Sequence, residues 1–95
     1  MIFLVEENIV IGIKPGIHFR PAEKITEASL KYDSEIKIKK DNYEANVKSF
    51  LSLLGAGLKY DDKVTLMCSG KDETEALETM KRIFTDEDNN KTNNV

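Results

Sequence analysis

Gly16-Ile17-His18-Phe19-Arg20-Pro21-Ala22 joins two different patterns. Before it, Ile9, Ile11 and Ile13 alternate with Asn8, Val10 and Gly12. That period of two predicts a strand with the isoleucines inward. Lys14-Pro15-Gly16 ends it with strong turn chemistry. After the junction, Ala22, Ile25, Thr26, Ser29 and Leu30 fall near one face at helical spacing, with Glu23, Lys24 and Glu27 mostly outside. This predicts a helix from about Pro21 to Lys31. Pro21 suits the first turn, where a missing N–H costs nothing.

The junction holds the only histidine of the chain. His18 stands at the mouth of the predicted helix, among unpaired backbone N–H groups and the positive end of the dipole. Such a place attracts anions, phosphate above all. Gly16 permits a close backbone approach, and Arg20 offers a fork of donors matched to phosphate oxygens. Imidazole is largely neutral near pH 7, which leaves one ring nitrogen free to attack phosphorus. The constellation reads as phosphoryl transfer through His18. On its own it also fits an ordinary loop-to-helix entry with a capping histidine.

Downstream, Tyr32-Asp33-Ser34 breaks the helix. Glu35 to Lys39 reads as a strand with Ile36 and Ile38 on one side. Lys37, Lys39 and Lys40 then form its solvated face. Lys40-Asp41-Asn42 makes a hairpin turn, since Asp and Asn tolerate left-handed angles, and Tyr43 to Val47 returns. Ser49 to Leu54 is a short helix carrying Phe50, Leu51, Leu53 and Leu54, stopped by Gly55-Ala56-Gly57. One or two turns cannot bury all four apolar side chains on one stripe. We therefore expect Leu53 and Leu58 inward, and Phe50, Leu51 and Leu54 in an exposed patch near His18. Ser49 reads as the N-cap. Lys59 to Lys63 is a charged loop. Val64, Leu66 and Cys68 alternate in a fourth strand. Asp72 is the expected N-cap of a last helix, with Glu75 as its capping-box partner. Ala76, Leu77, Met80, Ile83 and Phe84 line the inner face of that helix.

The order β-α-β-β-α-β-α, with strands patterned on one face, predicts an open-faced two-layer α/β sandwich on an antiparallel sheet. The same order suits the generic ferredoxin-like plan, and pattern alone does not separate the two. Residues 1–85 form one domain, and 86–95 a polar tail expected to be disordered.

Composition excludes several classes. Ninety-five residues make one small domain. Net charge is −3, with 14 basic and 17 acidic residues, which argues against direct nucleic-acid binding. No apolar run is long enough for membrane insertion and no signal-peptide pattern is visible, so a cytoplasmic location is expected. The single cysteine, Cys68, falls in a predicted strand and reads as a buried, inert thiol. One Cys and one His do not make a zinc site, and no EF-hand-like loop is present, so no metal or cofactor is expected.

The Gly-Ile-His-x-Arg-Pro-Ala stretch resembles the active-site motif of HPr, the histidine phosphocarrier family of the phosphoenolpyruvate:sugar phosphotransferase system. A second block, Val47 to Leu58, resembles the regulatory-serine helix of that family and its glycine turn. The similarity runs from about Glu7 to Phe84. It implies four antiparallel strands with three helices on one face.

The resemblance also implies roles. His18 would carry the phosphoryl group on the ring nitrogen nearer the backbone, received from enzyme I and passed to sugar-specific IIA domains for sugar uptake. Arg20 would neutralise the phosphoryl oxygens. The protein would be a carrier, not itself an enzyme. Phe19, Lys24, Phe50, Leu51, Leu54 and Gly57 would form the docking surface, and a monomer is expected. Ser49 matches the second phosphorylation site of the family, the target of a serine kinase in many Gram-positive bacteria. Its modification would inhibit the carrier and promote binding to a catabolite-control transcription factor. Two positions depart from the family pattern. Phe19 stands where a small residue or threonine is usual, and Glu23 where a small or neutral one is common. The alternative is a regulatory module of the same fold, acting through Ser49 and the apolar patch. Regulatory relatives lose the histidine, which this chain keeps.

Overall fold

The computed structural model describes residues 4–87. The element order is β1 Val5–Val10, α1 Phe19–Ser29, β2 Glu35–Lys40, β3 Tyr43–Asn46, α2 Phe50–Gly55, β4 Lys63–Ser69 and α3 Glu73–Thr85. The strands form one sheet in the order β1-β4-β2-β3, every pair antiparallel. This is the open antiparallel sheet with three helices that the sequence leads one to expect.

The alternation along each strand decides which face is covered. Ile9, Ile36, Ile38, Ala45, Val64, Leu66 and Cys68 point into the core, where Ala22 and Ile25 of α1, Leu53 of α2, and Ala76, Met80 and Phe84 of α3 meet them. Each large aliphatic side chain buried in this way stabilises the fold by about 1.5–3 kcal/mol. At the β1 edge, Glu7 pairs with Lys81 of α3 across 2.6 Å. Thr26 and Ser29 are buried polar residues of α1. The Thr26 hydroxyl donates to the Val47 carbonyl (3.0 Å), and the Ser29 hydroxyl donates to the Thr26 carbonyl (2.6 Å). Those bonds remove the cost of burying two hydroxyls and set α1 against the chain that leads into α2.

Several boundaries differ from expectation, each for a tertiary reason. The first strand ends at Val10, not Ile13. Ile11 leaves the sheet and bonds with the β4 approach, its N–H donating to the Asp62 carbonyl and its carbonyl accepting from Asp61. Gly12 then passes beneath the end of α3, where a Cβ would lie 2.1 Å from the Thr85 carbonyl oxygen. The third strand stops at Asn46, and Val47 is buried beyond it. Helix α1 runs from Phe19 to Ser29, two residues earlier at each end than the periodicity suggests. Leu30, assigned to its inner face, is 61% exposed. Lys40 is not simply solvated but pairs with Asp62 at 2.8 Å.

Asp72 occupies the N-cap position of α3 without capping it. Its carboxylate instead accepts from the Asp33 and Ser34 amides and from the Ser34 hydroxyl. The expected Glu75 partnership is replaced by Glu73, whose carboxylate accepts from the Gly70 amide at 3.0 Å. The expected tail beyond Glu87 lies outside the described residues. Among the described residues, no helix is long and apolar enough to cross a membrane, and no cluster of acidic, His or Cys side chains could hold a metal ion.

Candidate functional site

The backbone before α1 is held by a distant part of the chain. Gly16 pairs with Lys59 in an isolated antiparallel bridge, and the Ile17 amide donates to the Leu58 carbonyl at 2.8 Å. The Tyr60 amide donates to the Pro15 carbonyl at 3.1 Å. A Cβ on Gly16 would stand 2.7 Å from the Leu58 carbonyl oxygen, so only glycine allows this approach. Ile17 and Leu58 are both buried and join the core. Lys14 adds a cation–π contact to the Tyr60 ring, 4.9 Å from its centroid.

This anchoring presents the next residue outward. His18 is exposed and extended at the N-cap of α1, and its carbonyl accepts the first helical bond, from Ala22 (2.9 Å). Its imidazole makes no cap hydrogen bond. Among the described residues, neither ring nitrogen has a partner. The helix begins at Phe19, so Pro21 is its third residue, not its first. Proline fits there too, because the third N–H of a helix has no internal acceptor. The Phe19 and Arg20 amides are left as the unpaired donors flanking His18. No acidic residue lies in the first turn of α1. An exposed imidazole thus stands where helix dipole, backbone donors and Arg20 all favour an anion.

The two departures from the family pattern lie toward α2. The Phe19 ring stacks on Phe50, with centroids 5.6 Å apart and planes 24° from parallel, while remaining 67% exposed. Glu23 lines a shallow hollow with Phe50, Thr26 and Leu30. Arg20 and Lys24, one turn apart, line a different hollow, between α1 and the end of α3.

Helix α2 divides its apolar residues as its length requires. Leu53 is fully buried, Leu51 is 76% exposed, and Phe50 and Leu54 are half-buried rather than fully exposed. Phe19 and Phe50 form one apolar surface through the ring stack, and Leu51, next to Phe50 in the chain, is the most exposed apolar residue of α2. Ser49 caps α2, its hydroxyl accepting from the Ser52 amide at 3.3 Å. Gly57 lies one residue beyond the C-cap with φ +60, a left-handed turn with open space around it. It therefore contributes backbone freedom. Leu58 is inward as expected, but its tie to Ile17, the parts of Lys59 and Tyr60 in the anchor, and Arg82 beside Arg20 and Lys24 are legible only in three dimensions.

A family model described as the PTS HPr component phosphorylation site matches residues 5–86. The chain is 37% identical over 78 residues to the phosphocarrier protein HPr of Mycoplasma pneumoniae, covering 81% of this chain and 89% of that protein. It is 32% identical over 77 residues to the HPr-like protein Crh of Halalkalibacterium halodurans, covering 81% and 92%. Among solved structures, HPr from Bacillus anthracis superposes with a TM-score of 0.82 at 25% identity, covering 85% of this chain and 96% of that one. Crh from Bacillus subtilis, described as a domain-swapped dimer, gives 0.73 at 29% identity, covering 87% and 95%.

Proposed function

The chain belongs to the HPr family of phosphocarriers, and from that premise we propose that His18 is its phosphoryl acceptor, loaded by enzyme I from phosphoenolpyruvate and unloaded to sugar-specific IIA domains. The observation that carries the reading is the exposed imidazole at the open N-terminus of α1, with both ring nitrogens unengaged among the described residues and no carboxylate in the first turn. In the forward step the ring nitrogen nearer the backbone forms a bond to phosphorus as the bond to the donor breaks. The other ring nitrogen holds the proton. The Phe19 and Arg20 amides lie at the helix mouth to meet the charge that arrives, and the Arg20 guanidinium, two residues on, would swing from its hollow to neutralise it. Because these donors are exposed to water, they hold the group without trapping it, as reversible transfer requires.

Docking would use the apolar surface of Phe19, Phe50, Leu51 and Leu54, rimmed by Arg20 and Lys24, with Gly57 shaping its far edge. An exposed apolar patch beside a reactive residue suits short-lived partners. On this reading the protein is a cytoplasmic monomer and a transient acceptor, not a catalyst, and needs no cofactor. Incubation with enzyme I and phosphoenolpyruvate tests it. Wild type should acquire an acid-labile phosphate and His18→Ala should not. A folded wild type that takes no label would overturn the reading.

A second reading is favoured by the match to Crh and by the position of Ser49. Phosphorylation of Ser49 by a serine kinase would place a dianion at the start of α2, beside the docking surface. It would repel acidic partners and favour a catabolite-control transcription factor. Retention of His18 supports the carrier reading over a purely regulatory one. ATP-dependent labelling of wild type but not Ser49→Ala, with no label from enzyme I, would reverse that preference.

A further inference from the structure

The hollow between α1 and the end of α3 has an apolar floor and a cationic rim, of about 300 Å³. Ile13 and Ile83, both part-exposed, form the floor over the buried Ile25, and Arg20, Lys24 and Arg82 stand around it. Asp86, the left-handed residue that ends α3, adds a single carboxylate. Among the described residues, none of the three cations has a carboxylate within 4.0 Å, although Lys37, Lys40 and Lys81 each do.

Local physics does not favour this arrangement of charge. Arg20 lies in the first turn of α1, the positive end of the dipole, where a cation is disfavoured. Lys24 follows it at i+4, the spacing at which like charges repel along a helix. Arg82 alone is well placed for its own helix, in the last turn of α3. Tertiary packing then brings it to the other two. Convergent unpaired cations around a concave apolar floor are the features of a site for an amphipathic anion.

We infer that this hollow binds a small organic anion: a phosphate or carboxylate group held by Arg20, Lys24 and Arg82, attached to a compact apolar body, such as a single ring, that rests on the isoleucine floor. The charge would supply attraction and the floor would select against inorganic anions. The site does not depend on phosphoryl transfer by His18, because it is measured on the unphosphorylated chain without any partner enzyme.

Phenyl phosphate is a suitable probe, titrated into the full-length protein and followed by NMR. Saturable shifts are expected at Ile13 and Ile83, with affinity at least about fivefold weaker in both Lys24→Ala and Arg82→Ala. Both side chains are exposed, so each variant should keep the wild-type spectrum elsewhere. Inorganic phosphate should bind more weakly and leave Ile83 unmoved. Absence of saturable shifts at the isoleucines would overturn the inference. So would equal affinity for inorganic phosphate, or affinity unchanged in both variants.

Discussion

Asp72 at the head of α3 holds Ser34 at the far end of the α1–β2 connection, its carboxylate accepting from the Ser34 amide at 3.0 Å and from the Ser34 hydroxyl. The Asp33 amide donates to the other carboxylate oxygen at 2.9 Å. Ser34 is itself buried and lies against Gly70, where a Cβ would come within 2.7 Å of the serine. The link thus fixes the start of β2 beside the start of α3. It also gives the fold a site sensitive to acid.

The hydrogen bonds from Ser34 and Asp33 hold the Asp72 carboxyl below its ordinary value of 3.8. Asp62 is lowered in the same way, first by the hydrogen bond from Lys40 and then by the Lys59 amide. A carboxylate with a depressed native pKa stabilises the fold above its unfolded value, and that contribution is lost as pH falls through the native one. Urea midpoints measured from pH 6 downward should therefore fall once pH drops below about 4. Asp72→Asn should lower the plateau and flatten that fall, leaving the Asp62 share. Ser34→Ala should cost about 1 kcal/mol at neutral pH. An unchanged acid limb in Asp72→Asn would show that the clamp does not couple to protonation.

Two leucines two residues apart on α2 should behave in opposite ways. Leu53 is wholly buried and Leu51 is 76% exposed. Leu53→Ala should destabilise by about 2–5 kcal/mol through lost burial and a cavity. Leu51→Ala should stay within about 0.5 kcal/mol of wild type, yet weaken capture of IIA domains. Thermal melts paired with titration calorimetry check both halves. Loss of stability in Leu51→Ala without loss of binding would contradict the docking role.

Arg20 is exposed, so its replacement should spare the fold while slowing phosphoryl transfer. A charge-assisted hydrogen bond is worth about 1.5 kcal/mol, which corresponds to about tenfold in rate. Rapid-quench measurement of transfer from phosphorylated enzyme I should show Arg20→Ala slowed by about that factor. Arg20→Lys should recover only part of it, since a point charge lacks the planar fork.

Cys68 is fully buried in β4, opposite Val5 and Ile36 in the sheet register. Burial, with the nearby charges of Asp72 and Glu73, pushes its thiol up to about 11. The thiolate is the reactive form. Dithionitrobenzoate at pH 8 should therefore leave the folded protein unlabelled and react quickly in denaturant. Prompt labelling of the native protein would mean that β4 opens readily.

The inner faces of β2 and β4 were legible because a strand buried on one side must alternate, and Ile36, Ile38, Val64, Leu66 and Cys68 do so. The end of β1 was not, because Ile9, Ile11 and Ile13 keep the period while the chain changes partner at Ile11. Pro21 is compatible with any position of a first helical turn, so it could not distinguish a start at Phe19 from one at Pro21. Asp72 has the residue type of a cap, but a carboxylate satisfies whichever donors the fold brings closest. His18, Arg20 and Ser49 could be found through local motif and resemblance. Arg82, Lys59 and Tyr60 carry no local signal, since their importance comes from contacts with segments far away in sequence.

If His18 is the acceptor, the ties between residues 15–17 and 58–60 make its loading conditional on chain closure. The two segments are separated by the whole of α1, β2, β3 and α2, so their contact belongs to the tertiary fold and not to any local element. Without that contact, among the described residues, nothing else in the chain before α1 holds His18 at the helix mouth. On the carrier reading a phosphoryl donor would thus meet a built-in inspection step: a clipped molecule would offer an imidazole, but not the frame that makes it worth charging.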